Sequence, residues 1–113
     1  RAASMAPAAA EEPGDQIRAK DITIDRTRRA VYKNGKELEL TQREYELIKF
    51  LAENPGRVMS REELMGSVWQ YDYFGDLRAV DVAVRRLREK LEDNPSEPVY
   101  VMTKRGAGYY FAD

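Results

Sequence analysis

Two copies of one helix-start signal lie close together in this chain. At Thr41 and again at Ser60, a hydroxyl residue is followed three positions later by a glutamate, Glu44 and Glu63 respectively. In such a pair the hydroxyl accepts from the N–H of the glutamate, and the glutamate carboxylate accepts from the N–H of the hydroxyl residue. Asn54-Pro55-Gly56 lies between the two signals and stops the first helix. The spacing therefore predicts a helix, a short turn and a second, shorter helix.

A third helix is predicted from about Arg78 to Glu92 by a single apolar stripe. The stripe residues recur at i, i+4, i+7 and i+11, the spacing of one helical face. They are Val80, Val84, Leu87 and Leu91. Asp93-Asn94-Pro95 follows directly and ends the helix.

Strand patterns occur on both sides of the helices. Ile22 and Ile24 alternate with polar neighbours, and Asn34-Gly35 separates two further extended runs, which is the strongest short signal for a hairpin. After the third helix, residues 99–111 predict a second hairpin, whose tip at Lys104–Gly108 is basic and rich in glycine. The expected fold class is α+β, with an N-terminal antiparallel sheet, three helices and a C-terminal hairpin.

The chain divides into a short tail and one domain. Residues 1–16 are small, acidic and proline-containing, so we expect a disordered linker or, in part, a tail left by cloning. Residues 17–113 are enough for a single domain with one core.

Composition excludes several classes of chemistry. The chain has no cysteine and no histidine, which removes thiolate nucleophiles, imidazole bases and zinc sites built from these residues. We therefore expect no enzyme activity, no cofactor and no metal. No apolar run is long enough to cross a bilayer, so we expect a cytoplasmic protein with no membrane partner.

The formal net charge is only −1, but the basic residues are concentrated on the third helix and the second hairpin. Relative to the apolar stripe of the helix, Val82, Arg85 and Arg86 point outward. Guanidinium groups beside an exposed methyl surface suit the edges of bases in a DNA major groove. Lys104 and Arg105 at the hairpin tip suit the adjacent minor groove.

The same helix face also has a simpler interpretation. Three pairs of opposite charge are spaced four residues apart, as in a salt-bridged, solvated surface. These pairs are Asp81–Arg85, Arg85–Glu89 and Arg88–Glu92. On the helix alone the two interpretations are about equally supported, and the basic hairpin that follows favours DNA.

Three segments together resemble a known family. The segments LTQREYELIKFLAENPGRVMSREELMGSVW, RAVDVAVRRLREKL and TKRGAGYYF look like the OmpR/PhoB family of response-regulator effector domains. The stretch YDYFGDLRAVDVAVRRLREKLEDNP is closest to the WalR (VicR) branch. The resemblance covers Ile22 to Phe111 and implies a winged helix-turn-helix: a four-stranded N-terminal sheet, three helices and a hairpin wing. It implies sequence-specific binding to promoter DNA under two-component control.

The resemblance also implies a role for individual residues. Val82, Arg85 and Arg86 become major-groove residues, with Arg86 the base contact. The implied phosphate contacts are Arg61, Trp69, Arg78, Arg88 and Tyr109. Lys104 and Arg105 become the wing residues of the minor groove. Ala79 departs from the threonine often found at its position, which removes one hydroxyl contact.

Several partners follow from the same resemblance. A loop of three aromatic residues and their neighbours is expected to contact RNA polymerase. It comprises Gln70, Tyr71, Asp72, Tyr73, Phe74 and Gly75. A second copy of the domain is expected on tandem half-sites of double-stranded DNA. A sensor histidine kinase is expected to act only through a receiver domain that is absent from this chain.

Two other classes of function compete with DNA binding. A winged-helix protein-interaction module would keep its third helix salt-bridged and would not be retained by DNA in a salt-dependent way. A hydrolytic enzyme would need nucleophile–base pairs or metal ligands, and the sequence offers neither.

Overall fold

A computed structural model describes residues 15–69 and 76–112 of the chain. These residues form two antiparallel sheets and three helices. In chain order, the elements are β1 (Gln16–Ala19), β2 (Ile22–Asp25), β3 (Ala30–Lys33), β4 (Lys36–Glu37), α1 (Gln42–Ala52), α2 (Arg61–Ser67), α3 (Arg78–Leu91), β5 (Val101–Lys104) and β6 (Gly108–Phe111).

The first four strands form one antiparallel sheet in the order β1-β2-β3-β4. Asn34 and Gly35 join β3 to β4 with positive φ angles of 53° and 81°. Two consecutive positive φ values are typical of the hairpin turn that matches the twist of paired strands, so the predicted hairpin is confirmed. Strand β1 begins at Gln16, the last residue of the segment expected to be linker.

Both predicted capping boxes are present. Thr41 Oγ1 accepts from the N–H of Glu44 at 3.1 Å, and the Glu44 carboxylate accepts from the N–H of Thr41 at 2.9 Å. Ser60 and Glu63 repeat the arrangement at 3.0 and 2.9 Å. Helices α1 and α2 therefore start where the hydroxyl–glutamate spacing predicts.

The core lies between the sheet, α1, α3 and the hairpin. Val80, Val84, Leu87 and Leu91 are at most 1% exposed, which confirms the predicted inward face of α3. Ile22 and Ile24 of β2 pack into the same core cluster. Glu44 of α1 is buried and accepts from Lys90 Nζ of α3 at 2.7 Å, which fixes α1 against α3.

The C-terminal hairpin, here called the wing, comprises β5, β6 and the turn between them. Met59 and Tyr109 exchange two backbone hydrogen bonds of 2.8 and 2.9 Å, which join β6 to the turn between α1 and α2. Gly108 makes this approach possible, because a Cβ on it would lie 1.9 Å from the Met59 carbonyl oxygen. The wing is thereby held beside the amino-terminal end of α2.

The start of the wing is anchored by a buried carboxylate. Glu92, at the C-cap of α3, is 6% exposed and accepts from the N–H groups of Val99, Tyr100 and Val101 at 2.8 to 3.3 Å. Backbone donors satisfy its charge in place of a cationic side chain. The end of α3 and the beginning of β5 therefore share one acceptor.

Candidate nucleic-acid interface

The outward face of α3 carries a cationic pair beside an apolar side chain. Val82 is 39% exposed, whereas Val80 and Val84 on the opposite face of the helix are buried. Arg85 and Arg86 are both exposed. Within residues 15–69 and 76–112, no carboxylate lies within ion-pair distance of either arginine. The structure thus brings the three predicted major-groove residues together on one solvent-facing surface, where the two arginines have no carboxylate partner among the described residues.

The acidic and basic groups of the alternative interpretation form other contacts. Asp81 binds Arg61 and Tyr109, Arg88 binds the wing, and Glu92 is occupied by backbone N–H groups. In the part of the chain that the structure describes, none of the three four-residue pairs on α3 is formed. The outward face of α3 is therefore not a salt-bridged surface.

Asp81 joins two of the predicted phosphate contacts. Its carboxylate lies 3.1 Å from Arg61 Nη1 of α2 and accepts from the Tyr109 hydroxyl of β6 at 2.6 Å. Burial and the hydrogen bond to Asp81 raise the pKa of Tyr109 to about 12. The Tyr109 phenol therefore stays protonated at neutral pH and remains a hydrogen-bond donor.

Arg88 packs against the wing. Its Nε donates to the Val101 carbonyl at 2.9 Å and its Nη2 to Thr103 Oγ1 at 2.7 Å, while its guanidinium lies 5.7 Å from the centre of the Tyr109 ring. Burial lowers the pKa of Arg88 below its usual value. These contacts use two of the five N–H donors of the guanidinium, and the two on Nη1 and one on Nη2 take no part in them.

The remaining phosphate candidates lie in different surroundings. Arg78 is exposed and pairs with Asp76, whose carboxylate accepts from both its Nε and its Nη2. Hydrogen bonds from the side chain and from the backbone N–H of Arg78 lower the pKa of Asp76. Trp69 is only 7% exposed and its ring lies 5.0 Å from the Arg43 guanidinium. Arg78 is therefore open to solvent, whereas Trp69 belongs mainly to the core.

The wing tip presents the two predicted minor-groove cations. Lys104 and Arg105 are exposed, and no ion pair involves either of them among the described residues. A cleft of about 360 Å³ separates the wing from α2 and α3, and Arg61, Asp81, Lys104 and Tyr109 are among its lining residues. The wing and α3 therefore border one open, polar cleft.

The loop expected to contact RNA polymerase, residues 70–75, lies outside the described residues. Within the described ranges, no cluster of three or more acidic side chains is arranged to hold a metal ion. No helix in those ranges is long and apolar enough to cross a membrane.

Sequence reasoning missed the position of Asp81. Its spacing to Arg85 suggested an ordinary pair on one helix, whereas its partners lie 20 and 28 residues away in the chain. Arg43 was also missed: it stacks on Trp69, and one of its buried nitrogens has no hydrogen-bond partner among residues 15–69 and 76–112. Neither contact has a local sequence signal, because both depend on how the helices and the wing pack.

Comparison with known proteins agrees with this architecture. The family described as "Transcriptional regulatory protein, C terminal" matches residues 35–111. The response regulator DrrB of Thermotoga maritima, an OmpR/PhoB homologue, is 36% identical with a TM-score of 0.82, and the match covers 88% of this chain and 45% of DrrB. The DNA-binding domain of RstA from Klebsiella pneumoniae, solved in complex with the RstA box, is 37% identical with a TM-score of 0.78 over 86% of this chain and 96% of that domain.

A third structure, the DNA-binding domain of CpxR from E. coli, is 30% identical with a TM-score of 0.75, covering 87% of this chain and 96% of the other. This chain thus corresponds to less than half of DrrB and to nearly all of the two isolated domains. The predicted winged helix-turn-helix is confirmed. The chain belongs to the family of C-terminal domains of transcriptional regulatory proteins, and its fold is that of the OmpR/PhoB response-regulator DNA-binding domains.

Proposed function

We propose that this chain binds promoter DNA in transcription control, with α3 in the major groove and the wing in the adjacent minor groove. The observation that carries the proposal is the unpaired Arg85 and Arg86 beside the exposed Val82. Exposed cations without carboxylate partners create a local positive potential, which attracts a polyanion such as DNA. An α-helix is about 10–12 Å in diameter with its side chains, so it fits a major groove about 12 Å wide.

In this arrangement Arg86 reads a base edge and Arg85 and Val82 contact neighbouring groups. An arginine fork matches the two acceptors of guanine, and a valine methyl matches the methyl group of thymine. Because the opposite face of α3 is fixed in the core, the outward side chains enter the groove on a rigid support. Lys104 and Arg105 enter a minor groove, whose negative potential is strongest where A·T-rich sequence narrows it.

Phosphate contacts on both sides of α3 set the register of the domain on DNA. Arg61 and Arg78 supply exposed donors, and Arg88 supplies the N–H groups that the wing does not use. The Tyr109 hydroxyl donates its one proton to Asp81, so it contacts a phosphate only by exchanging that acceptor. Trp69 contributes only through the small exposed part of its ring. Contacts of this kind orient a protein on the duplex without reading its sequence.

Further parts of the proposal concern the whole regulator. A second copy binds the neighbouring half-site, residues 70–75 contact RNA polymerase, and a histidine kinase acts through a receiver domain elsewhere in the parent protein. We also place the chain in the WalR (VicR) branch, on the resemblance of residues 71–95. Support for these points is the sequence resemblance, together with the response-regulator architecture of DrrB, of which this chain spans 45%.

The test compares Arg86→Ala with Arg28→Ala. Arg28 is an exposed arginine in the β2–β3 turn, away from α3, so its replacement removes the same charge without touching the proposed interface. On a duplex selected by the wild-type domain, Arg86→Ala is expected to cost about 1–3 kcal/mol, while Arg28→Ala has little effect.

Base preference at one position should relax in the Arg86→Ala variant. Equal losses on selected and random duplexes would assign Arg86 to phosphate instead. A wild-type domain whose retention by DNA does not fall with salt would refute DNA binding and favour the protein-interaction alternative.

A further inference from the structure

Asp81 is a carboxylate within a surface that is otherwise suited to anions. It lies in the first turn of α3, lines the cleft beside the wing, and binds Arg61 at 3.1 Å and the Tyr109 hydroxyl at 2.6 Å. Arg61 begins α2 and Tyr109 belongs to β6. One side chain therefore connects the three elements that the proposed function brings to DNA.

This contact adds little to folding stability. The side chains of Arg61 and Asp81 are 44% and 39% exposed, and ion pairs so open to water are weak because solvent screens the charges. The effect of this ion pair is therefore to be sought in what it does to Arg61 before DNA arrives. Held by Asp81, the Arg61 guanidinium is restricted to one region of the cleft.

Restriction of Arg61 changes which DNA it can favour. An untethered arginine is long and flexible, so it can follow a phosphate at almost any register of the duplex. A tethered arginine contributes only when the backbone has docked where the guanidinium already lies. In addition, the Asp81 charge repels a phosphate that enters the cleft out of place.

We infer that Asp81 is a positioning residue for DNA recognition, which widens the difference in affinity between the specific site and random DNA by holding Arg61 and Tyr109 in place. The inference rests on the proposed function, since it concerns how the same surface discriminates between sequences. Neutralising the Asp81 carboxylate should therefore reduce the difference in affinity between the specific site and random DNA.

The experiment measures Asp81→Asn on two duplexes of equal length, one selected by the wild-type domain and one of random sequence, over a salt series. Released Arg61 should gain a phosphate on random DNA, so the salt slope of log K steepens by about 0.9 and affinity rises by up to about eightfold at 0.1 M salt. Affinity for the selected duplex should rise less or fall. The ratio of the two affinities should therefore fall by about threefold or more.

Glu89→Gln is the matched control. Glu89 is an exposed carboxylate on α3 that has no ion pair among the described residues, so its replacement removes the same charge from the same helix. It should leave the affinity ratio near that of the wild type. If both variants gain affinity equally on the two duplexes, Asp81 acts only as a bulk charge and the inference is wrong.

A double variant tests whether the effect passes through Arg61. With Arg61→Gln already present, Asp81→Asn should raise random-DNA affinity no more than Glu89→Gln does in that background. Parallel losses on both duplexes together with a lower melting temperature would assign Asp81 a merely structural role. A wild-type domain that shows no preference for its selected duplex would refute the proposed function itself, whereas normal wild-type preference with an unchanged Asp81→Asn ratio would refute only the positioning role.

Discussion

Gly108→Ala is the substitution whose effect follows most directly from the structure. The added Cβ would lie 1.9 Å from the Met59 carbonyl oxygen, 2.7 Å from its carbonyl carbon and 2.9 Å from the Ser60 Cα. All three are backbone atoms, so no side-chain rotation relieves the overlap. The wing and the α1–α2 turn have to separate by about 1.5 Å before ordinary contact distances are reached.

The expected loss of stability combines two contributions. The two hydrogen bonds between Met59 and Tyr109 lengthen or break, at a net cost of about 0.5–1.5 kcal/mol each. Gly108 also has a φ of +149°, which a residue with a Cβ adopts only at about 1–3 kcal/mol. Alanine restricts the unfolded chain and offsets about 0.4–1 kcal/mol of this. We therefore expect the free energy of unfolding to fall by about 2–5 kcal/mol.

Urea unfolding followed by tryptophan fluorescence measures this change, because Trp69 is the sole tryptophan and is buried. The control is Gly106→Ala, also in the wing: Gly106 has a φ of +78° but no atom within 4 Å of an added Cβ. It should lose only the conformational part, about 1–2 kcal/mol. If Gly108→Ala proves no less stable than Gly106→Ala, the close approach of the wing to Met59 is wrong.

Two further predictions concern the core and the wing tip. Burial raises the pKa of Glu44, but the hydrogen bonds from Lys90 and from the Thr41 N–H outweigh this effect, so the pKa lies below the usual 4.5. The ionised carboxylate therefore stabilises the fold above pH 4.5, and this stabilisation is lost as the pH falls through the lowered pKa. Glu44→Gln should therefore lower the free energy of unfolding by about 1–3 kcal/mol at pH 7 and by less at about pH 3, and an equal loss at both pH values would contradict this origin. Arg105→Ala should weaken binding mainly at half-sites with an A·T-rich flank and reduce the salt slope by about one. Equal losses beside G·C-rich flanks, or an unchanged slope, would remove Arg105 from the minor groove.

The sequence predicted those elements that are fixed by contacts between residues close together in the chain. The capping boxes at Thr41 and Ser60 each close over three residues, and the Asn34-Gly35 turn closes over two. The inward face of α3 follows from periodicity within one helix. In each case the interacting groups are so close in the chain that few competing partners exist.

The same local rules gave the wrong partners for the charged residues of α3. A pair four residues apart on a solvated helix is weak, so any better donor or acceptor that packing brings near will displace it. Asp81 instead binds Tyr109, Arg88 binds Val101 and Glu92 binds backbone N–H groups. These partners lie on the wing, whose position relative to α3 no pattern within either segment specifies.

The assignments of individual residues to bases and phosphates stay predictions. The structure brings Val82, Arg85 and Arg86 together, but exposure on one face does not identify the atom that each side chain will meet. Arg88 illustrates the difficulty, because two of its five N–H donors are already used by the wing. A DNA contact assigned from sequence position alone ignores the hydrogen bonds that the side chain already makes within the protein.

The unpaired cations of α3 and the wing make the stability of this domain depend on its surroundings. Arg85, Arg86, Lys104 and Arg105 repel like charges nearby and have no carboxylate partners within the described ranges. Any polyanion that binds only the folded state, whether heparin, concentrated phosphate or nucleic acid carried through purification, adds RT ln(1 + [L]/Kd) to the free energy of unfolding, or about 2.7 kcal/mol at a hundred times Kd. A melting temperature of this domain is therefore a property of the chain together with the anions in its buffer.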